Sequence, residues 1–539
     1  MTDSADLVSH MPRRTFLGNI ISVSAATLVL AGCSRGSSSY KTADGVVSSK
    51  GEAVRTSEQL DDEFILQAAE SLLALGEESH GGLRFKSEVQ GDNYQTDRDV
   101  GAAGVGMGFL TLASRYPEDS RWLDAAVKTA AWLTAVSKPG REAGRYWNDY
   151  VNDDETSTDI YTSFDDGVIG IGDFFWQLYE QTNDEAHKTM ALESLEWMFS
   201  KAQPIDDGAI QYQWDITDRG SQYSMGMGMG VAGIVHTFAS YEQRLADSDP
   251  EMAAKCREYI DETLQYMSDV RTELASNVGD SADARALPET GVVGQDGDTE
   301  MDSGYLSGAA GAAFMYLKLY ETYKDESYLA QADKLFNWLE DTTNGPMVKF
   351  GDGAVAWDIA LDPQGGNTPR FATGFEEGSA GIGWVYLQAY NVTKQEKYLT
   401  MAKGAADWLL RVAIRDQDGG MSWHEDQRPV NELIHANLNN GSAGIGMFFE
   451  DLALASSDGK YHTVAEGALT WLKNTAIHDG KHAYWRDNSG YADGNSGPTG
   501  PYNRDPSWHW GSAGIIAFMV RMRGGRMDIP GEQPALKVV

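Results

Sequence analysis

What most limits how this chain can fold is a six-residue phrase, Gly441-Ser-Ala-Gly444-Ile-Gly446, repeated nearly unchanged at Gly378-Ser-Ala-Gly381-Ile-Gly383. Shorter versions begin at Gly101, Gly167, Gly230, Gly308 and Gly511, which makes seven copies spaced 66, 63, 78, 70, 63 and 70 residues apart. A long period held along a chain marks a repeat architecture rather than a string of unrelated domains. Each phrase opens an apolar stretch, such as Val105 to Leu112, Ile171 to Tyr179 or Ile445 to Leu454. These stretches are apolar nearly all round, as a helix buried on both sides is. A polar turn and an amphipathic helix follow. Trp132, Trp197, Trp338, Trp408 and Trp471 lie 31, 30, 30, 30 and 30 residues after the first glycine of their repeats, and Ile260 takes that place in the third. A glycine-bounded segment with a second aromatic comes next (Trp147, Trp214, Trp357, Trp423, Trp485) and reads as a short hairpin.

Residues Asp61 to Gly76 supply a first outer helix, so seven outer helices balance seven inner ones. The expected fold is all-α, a closed (α/α)7 toroid over residues 58–525, with a tail at 526–539. A closed ring needs no partner to complete its core, so a monomer is expected. The first two glycines of each phrase share one face of a helical turn, which reads as room for neighbouring inner helices to approach. Gly228-Met-Gly230-Val-Ala-Gly233 spells a dinucleotide fingerprint but lacks the preceding buried strand and β-α-β setting.

The amino terminus reads as a targeting segment, residues 1–33. Arg13 and Arg14 precede an apolar run from Ile20 to Leu30, then Leu30-Ala-Gly-Cys33. Twin arginines resemble a Tat export signal, and the last four residues resemble a lipobox with Cys33 as the lipidated residue. Residues 34–57 read as a flexible tether. The expected location is outside the cytoplasm, anchored to the membrane by lipid. Net charge is −37, which opposes nucleic-acid binding. Acid spread along the whole chain is also the pattern of adaptation to high salt. The two cysteines, Cys33 and Cys256, exclude a disulfide framework and a cysteine-based zinc site.

A ring of helix pairs with Gly-Ser-Ala-Gly-Ile-Gly at the inner-helix starts resembles the lanthionine synthetase C-like family, over roughly Asp61 to Arg523. The resemblance implies an α/α toroid in which zinc activates a peptide thiol. Its zinc ligands would be a cysteine before the fifth glycine phrase and a Cys-His pair before the sixth. Glu376, Asn439 and Asn440 stand at those places here. Amide oxygens are poor zinc ligands and no thiolate remains, so the expectation is the family's fold without its zinc or its cyclase chemistry.

Residues just before the phrases should ring one end of the barrel. They include Asp99, Asp165, Asp166, Tyr223, Asp302, Tyr305, Glu376, Glu377, Asn439, Asn440, Trp508, His509 and Trp510. Tryptophan suits the apolar face of a sugar ring, and carboxylates and amides suit its hydroxyls. Two opposed carboxylates can act at an anomeric carbon as acid and base, or as acid and nucleophile. Glu376 or Glu377 paired with Asp165 or Asp166 would be the catalytic carboxylates, with His509 as a further acid/base. The other ring residues would bind substrate. The competing roles are helix capping for the acids and core packing for the tryptophans. Asp296, Asp298, Glu300 and Asp302 form an acidic run that could hold calcium but lacks the full calcium-loop pattern. The expected function is carbohydrate binding or turnover in a central pocket. A peptide-modifying relative and a non-catalytic binding lipoprotein are the alternatives.

Overall fold

The computed structural model describes residues 57–86, 93–152, 159–205, 208–217, 225–278, 301–361, 369–427, 433–485 and 504–525. The targeting segment with Cys33, Tyr223, the acidic run from Asp296 to Glu300 and the tail lie outside the described residues.

Fourteen helices alternate between outer and inner positions among the described residues. In chain order they are α1 (Ser57–Leu73), α2 (Ala102–Arg115), α3 (Arg121–Val136), α4 (Val168–Thr182), α5 (Glu185–Lys201), α6 (Val231–Leu245) and α7 (Pro250–Val278). Then come α8 (Ala309–Tyr323), α9 (Glu326–Leu339), α10 (Ser379–Thr393), α11 (Glu396–Val412), α12 (Ser442–Ser456), α13 (Gly459–Thr475) and α14 (Ser512–Met522). The even-numbered helices are inner, and each begins immediately after the first glycine of its phrase. Each packs on the next around the ring, α14 packs on α2, and α1 packs on α14. The all-α toroid is therefore closed.

The outer helices α5, α9 and α13 start at Asp184, Asp325 and Asp458, whose carboxylates accept backbone N–H bonds two residues on. This is ordinary N-capping. At their other ends lie two-stranded antiparallel hairpins, for example Met347–Lys349 with Val355–Trp357. The second aromatics tie those hairpins down. The indole N–H groups of Trp147, Trp357, Trp423 and Trp485 donate to the carbonyls of Leu133, Leu339, Leu409 and Leu472 at 2.7–2.9 Å. Those carbonyls lie in the last helical turns, and those of Leu133 and Leu472 also accept the C-cap N–H groups of Ser137 and Ala476. In the second repeat, buried Tyr212 lies on the hairpin's heels, while Trp214 stacks on Tyr161 with ring centroids 4.7 Å apart.

The glycine phrases do more than bring inner helices together. A Cβ on the second glycine would collide with a carbonyl of its own repeat's preceding loop. It would lie 2.1 Å from the Arg98 oxygen at Gly104, 1.7 Å from Phe375 O at Gly381 and 2.0 Å from Trp508 O at Gly514. Only the third glycine, where present, meets a neighbouring inner helix, as Gly446 does at the Phe518 ring. The repeat therefore encodes how tightly each inner helix is seated on the loop that leads into it.

Candidate active site at the hub

The seven loops entering the inner helices meet in a closed belt of backbone hydrogen bonds. Asp99 N donates to Asp165 O, Asp165 N to Gly228 O, Gly228 N to Leu306 O, and Leu306 N to Glu376 O. Glu376 N then donates to Asn439 O, Asn439 N to His509 O, and His509 N back to Asp99 O, all at 2.8–3.3 Å. Every member of this belt stands two residues before the first glycine of its phrase. Asp99, Asp165, Glu376, Asn439 and His509 are thus brought to one hub from five different repeats.

Their side chains meet as well. His509 Nδ1 lies 3.0 Å from Asp99 Oδ1 and 3.1 Å from Glu376 Oε1. The hydrogen bond is the one with Asp99; Glu376 Oε1 is an ion-pair neighbour of that nitrogen and has no hydrogen bond of its own. Asp165 Oδ1 and Asn439 Oδ1 are likewise buried without one. Asp165, Glu376 and Asn439 are 5%, 5% and 3% exposed. Burial disfavours a charged carboxylate, and so does a like charge nearby. Glu376 is pushed well above the ordinary carboxylate range by burial first, then by Asp99, Asp165, Glu377 and Asp166. Asp166 is raised well above it too, by burial and then by Asp99, Asp165 and Asp149, with His509 opposing. Asp165 is also raised by burial, but His509 and Arg98 pull it back. For His509, burial favours the neutral ring, yet Asp165 and the hydrogen-bonded Asp99 outweigh it and leave the pKa raised.

The capping role does not apply to these acids. All seven inner helices have glycine at the N-cap and no side-chain cap bond.

Other expected site residues have different places. Asp302 sits six residues before its glycine, on a short strand paired with Ala360, and its carboxylate accepts the Gly304 N–H at 2.7 Å. It shapes the loop, and Leu306 takes the hub position of that repeat. Tyr305 packs edge-on against Phe314, Phe375 and Trp384, with ring centroids 5.5–5.9 Å apart. Trp508 is 1% exposed, close to Gly104 and under the Arg98 guanidinium. Both aromatics are core, because a ligand has no access to faces already covered. Glu377 is half-buried and raised by burial, with Arg370 lowering it and Glu425 raising it, whereas buried Glu376 is acted on by Asp99 and Asp165. Asn440 and Trp510 are half-buried beside the hub, and Trp510 lines a shallow cleft with Trp485, Asp505 and Asn437.

Two hub members escaped the sequence reading, Gly228 and Leu306. Counting two residues back from each glycine phrase finds both; looking for polar residues passes over them. A Cβ at Gly228 would come 2.2 Å from Asp165 Oδ2 and 2.0 Å from Leu306 Cδ1, so glycine there keeps the Asp165 carboxylate in place.

The family's zinc does not fit these residues. Glu376, Asn439 and Asn440 offer no thiolate, and the one cysteine among the described residues, Cys256, is buried in the outer helix α7. Asp99, Glu376 and His509 do offer three possible ligand atoms within 4.8 Å of one another. Two hard oxygens and an imidazole nitrogen make a different donor set from the family's.

A closed toroid of seven helix pairs with a polar hub defines the class of protein. The model of the lanthionine synthetase C-like proteins matches residues 83–266 and 221–525, and the chain belongs to that family. Its zinc-ligand cluster is not retained. Comparison with curated protein sequences returns no match. Among solved structures, nisin cyclase is 11% identical, with 86% of this chain and 94% of that one covered and a TM-score of 0.49. Cellobiose 2-epimerase from Bacillus thermoamylovorans is 13% identical, with 86% and 99% covered and a TM-score of 0.45. A family 76 glycoside hydrolase, an α-mannanase of Bacteroides thetaiotaomicron, is 12% identical, with 86% and 96% covered and a TM-score of 0.42. These likenesses concern the fold alone.

Proposed function

We propose that the hub binds a carbohydrate and acts on it by acid/base chemistry, in a protein held at the outer face of the membrane by a lipid on Cys33. One observation carries the catalytic part: Asp165 and Glu376 come from distant repeats to one buried hub, yet their surroundings differ. Glu376 is crowded by carboxylates and favours its protonated form. Asp165 is raised by burial too, but His509 and Arg98 pull it back toward its ionised form. Pairs of titratable groups pushed apart in this way are how acid and base are divided at neutral pH. Glu376 is then the acid that protonates a leaving oxygen, and Asp165 is the base or nucleophile. His509, oriented by Asp99, is a second proton carrier. The export and anchoring part rests on Arg13, Arg14 and the Leu30 to Cys33 box alone.

The test is a glycan panel followed by Glu376→Gln and Asp165→Asn on whichever sugar responds. General acid or base loss costs about 10²–10⁴-fold in rate. Turnover that survives both substitutions ends the assignment.

A further inference from the structure

The unmet side-chain atoms of the seven belt residues share one polarity. Asp165 Oδ1, Glu376 Oε1 and Asn439 Oδ1 are all acceptors, all buried, and all at the same position of the backbone belt. An ionised carboxylate and an amide oxygen can only accept, and a protonated carboxyl such as Glu376 still accepts at its carbonyl oxygen. The charge balance leans the same way: Asp99, Asp165, Asp166 and Glu376 act on one another, with Arg98 and His509 as the cations acting among them. A neutral sugar hydroxyl brings one donor and no charge. A primary ammonium brings three donors and a positive charge, and charge-assisted bonds to carboxylates are about twice as strong as neutral ones. Gly228 adds a steric reason, since a side chain there would push into Asp165 Oδ2.

From these acceptors and their setting we infer that the hub's ligand is a hydroxylated molecule carrying a primary ammonium group, an amino sugar by class, with the ammonium seated against Asp165, Glu376 and Asn439. This rests on the carbohydrate reading and narrows it. The sugar hydroxyls then face the half-buried rim of Asp166, Glu377 and Asn440.

The experiment is calorimetric titration and thermal shift of the EDTA-treated protein at fixed salt. Glucosamine, galactosamine and mannosamine are compared with glucose, galactose and mannose, and Mn²⁺ and Ca²⁺ are run as separate arms. At least one amino sugar is expected to bind about tenfold or more tightly than its parent hexose, a difference of about 1.4 kcal/mol. Asp165→Asn should erase that preference by lowering the amino sugar's affinity to the level of its parent hexose, and circular dichroism confirms that the variant folds. Equal affinity for amine and parent overturns the ammonium but keeps the carbohydrate reading. No binding by any of the six sugars overturns both. Stoichiometric tightening by Mn²⁺ or Ca²⁺, with no amine preference, overturns the inference in favour of an inorganic cation at Asp99, Glu376 and His509.

Discussion

The inner helices carry buried acids along their length and beneath their starts, and the two groups are treated oppositely. Farther down the barrel, Asp173 on α4 accepts from Arg244 on α6 at 2.9 Å and from Gln177 at 2.8 Å. Asp451 on α12 takes Arg521 of α14 at 2.8 Å and the Trp384 indole N–H of α10 at 2.9 Å. Burial works against the Asp173 charge, but Arg244 and Arg98 overcome it and leave its pKa lowered. At the hub, Asp165 and Glu376 have no such bonded guanidinium and are raised. The first arrangement joins neighbouring inner helices and is explained by stability. The second works against stability, and that is the reason to look for function there.

The largest effect that would test this contrast is Arg244→Ala. Removing one partner of a buried pair leaves an uncompensated charge and costs about 3–5 kcal/mol. Urea denaturation should register that loss; a change below about 1 kcal/mol would mean the far-end pair is ornamental.

Next comes pH. Burial, followed by Asp159, Asp99 and Asp215, pushes Asp149 up from 3.8 to about 7. Between those values the folded state holds a proton that the unfolded state has released. Its contribution is therefore full below about pH 4 and lost as pH rises through about 7. Asp173 works in reverse: its contribution is present above the unfolded value of about 3.9 and is lost as pH falls. The melting temperature should thus fall between pH 5 and pH 8, and Asp149→Asn should flatten that slope. An unchanged slope in the variant would remove Asp149 as its source.

A smaller effect sharpens the hub side. Asp165→Asn should change stability by no more than about 1 kcal/mol, with gain favoured over loss, because it removes a buried charge that lacks a bonded cation. A loss of about 3 kcal/mol would make Asp165 structural, like Asp173. Smallest of all is Lys128→Ala, which breaks an exposed pair with Glu78 and should stay within about 0.5 kcal/mol in the same denaturation assay.

Most of the fold was legible because the same physical demand recurs. A glycine is needed wherever an inner helix seats on its entering loop, and seven such glycines fix helix starts almost to the residue. The hub was legible for Asp99, Asp165, Glu376, Asn439 and His509, which stand in register with those glycines. It was misread at Asp302 and Tyr305, because the fourth repeat fills its hub position with Leu306, a residue type not sought there. The Asp173–Arg244 and Asp451–Arg521 pairs were not foreseen. Their partners are 71 and 70 residues apart, and nothing local in either helix announces the other. The signal was available as isolated charges inside otherwise apolar helices, which burial obliges to find a counter-ion.

The pairing of α1 with α14 has a temporal consequence. Asp61 on α1 is held by Lys473 on α13 and by Arg523 just beyond α14, so the earliest of the described helices takes its neighbours from the latest. During synthesis α1 must wait for nearly the whole polypeptide before its apolar side is covered. Completing the annulus is thus a late, long-range event, of the kind that slows folding. A circularly permuted gene that joins 525 to 57 through a linker and opens the chain in an outer hairpin would turn that delayed meeting into a local one.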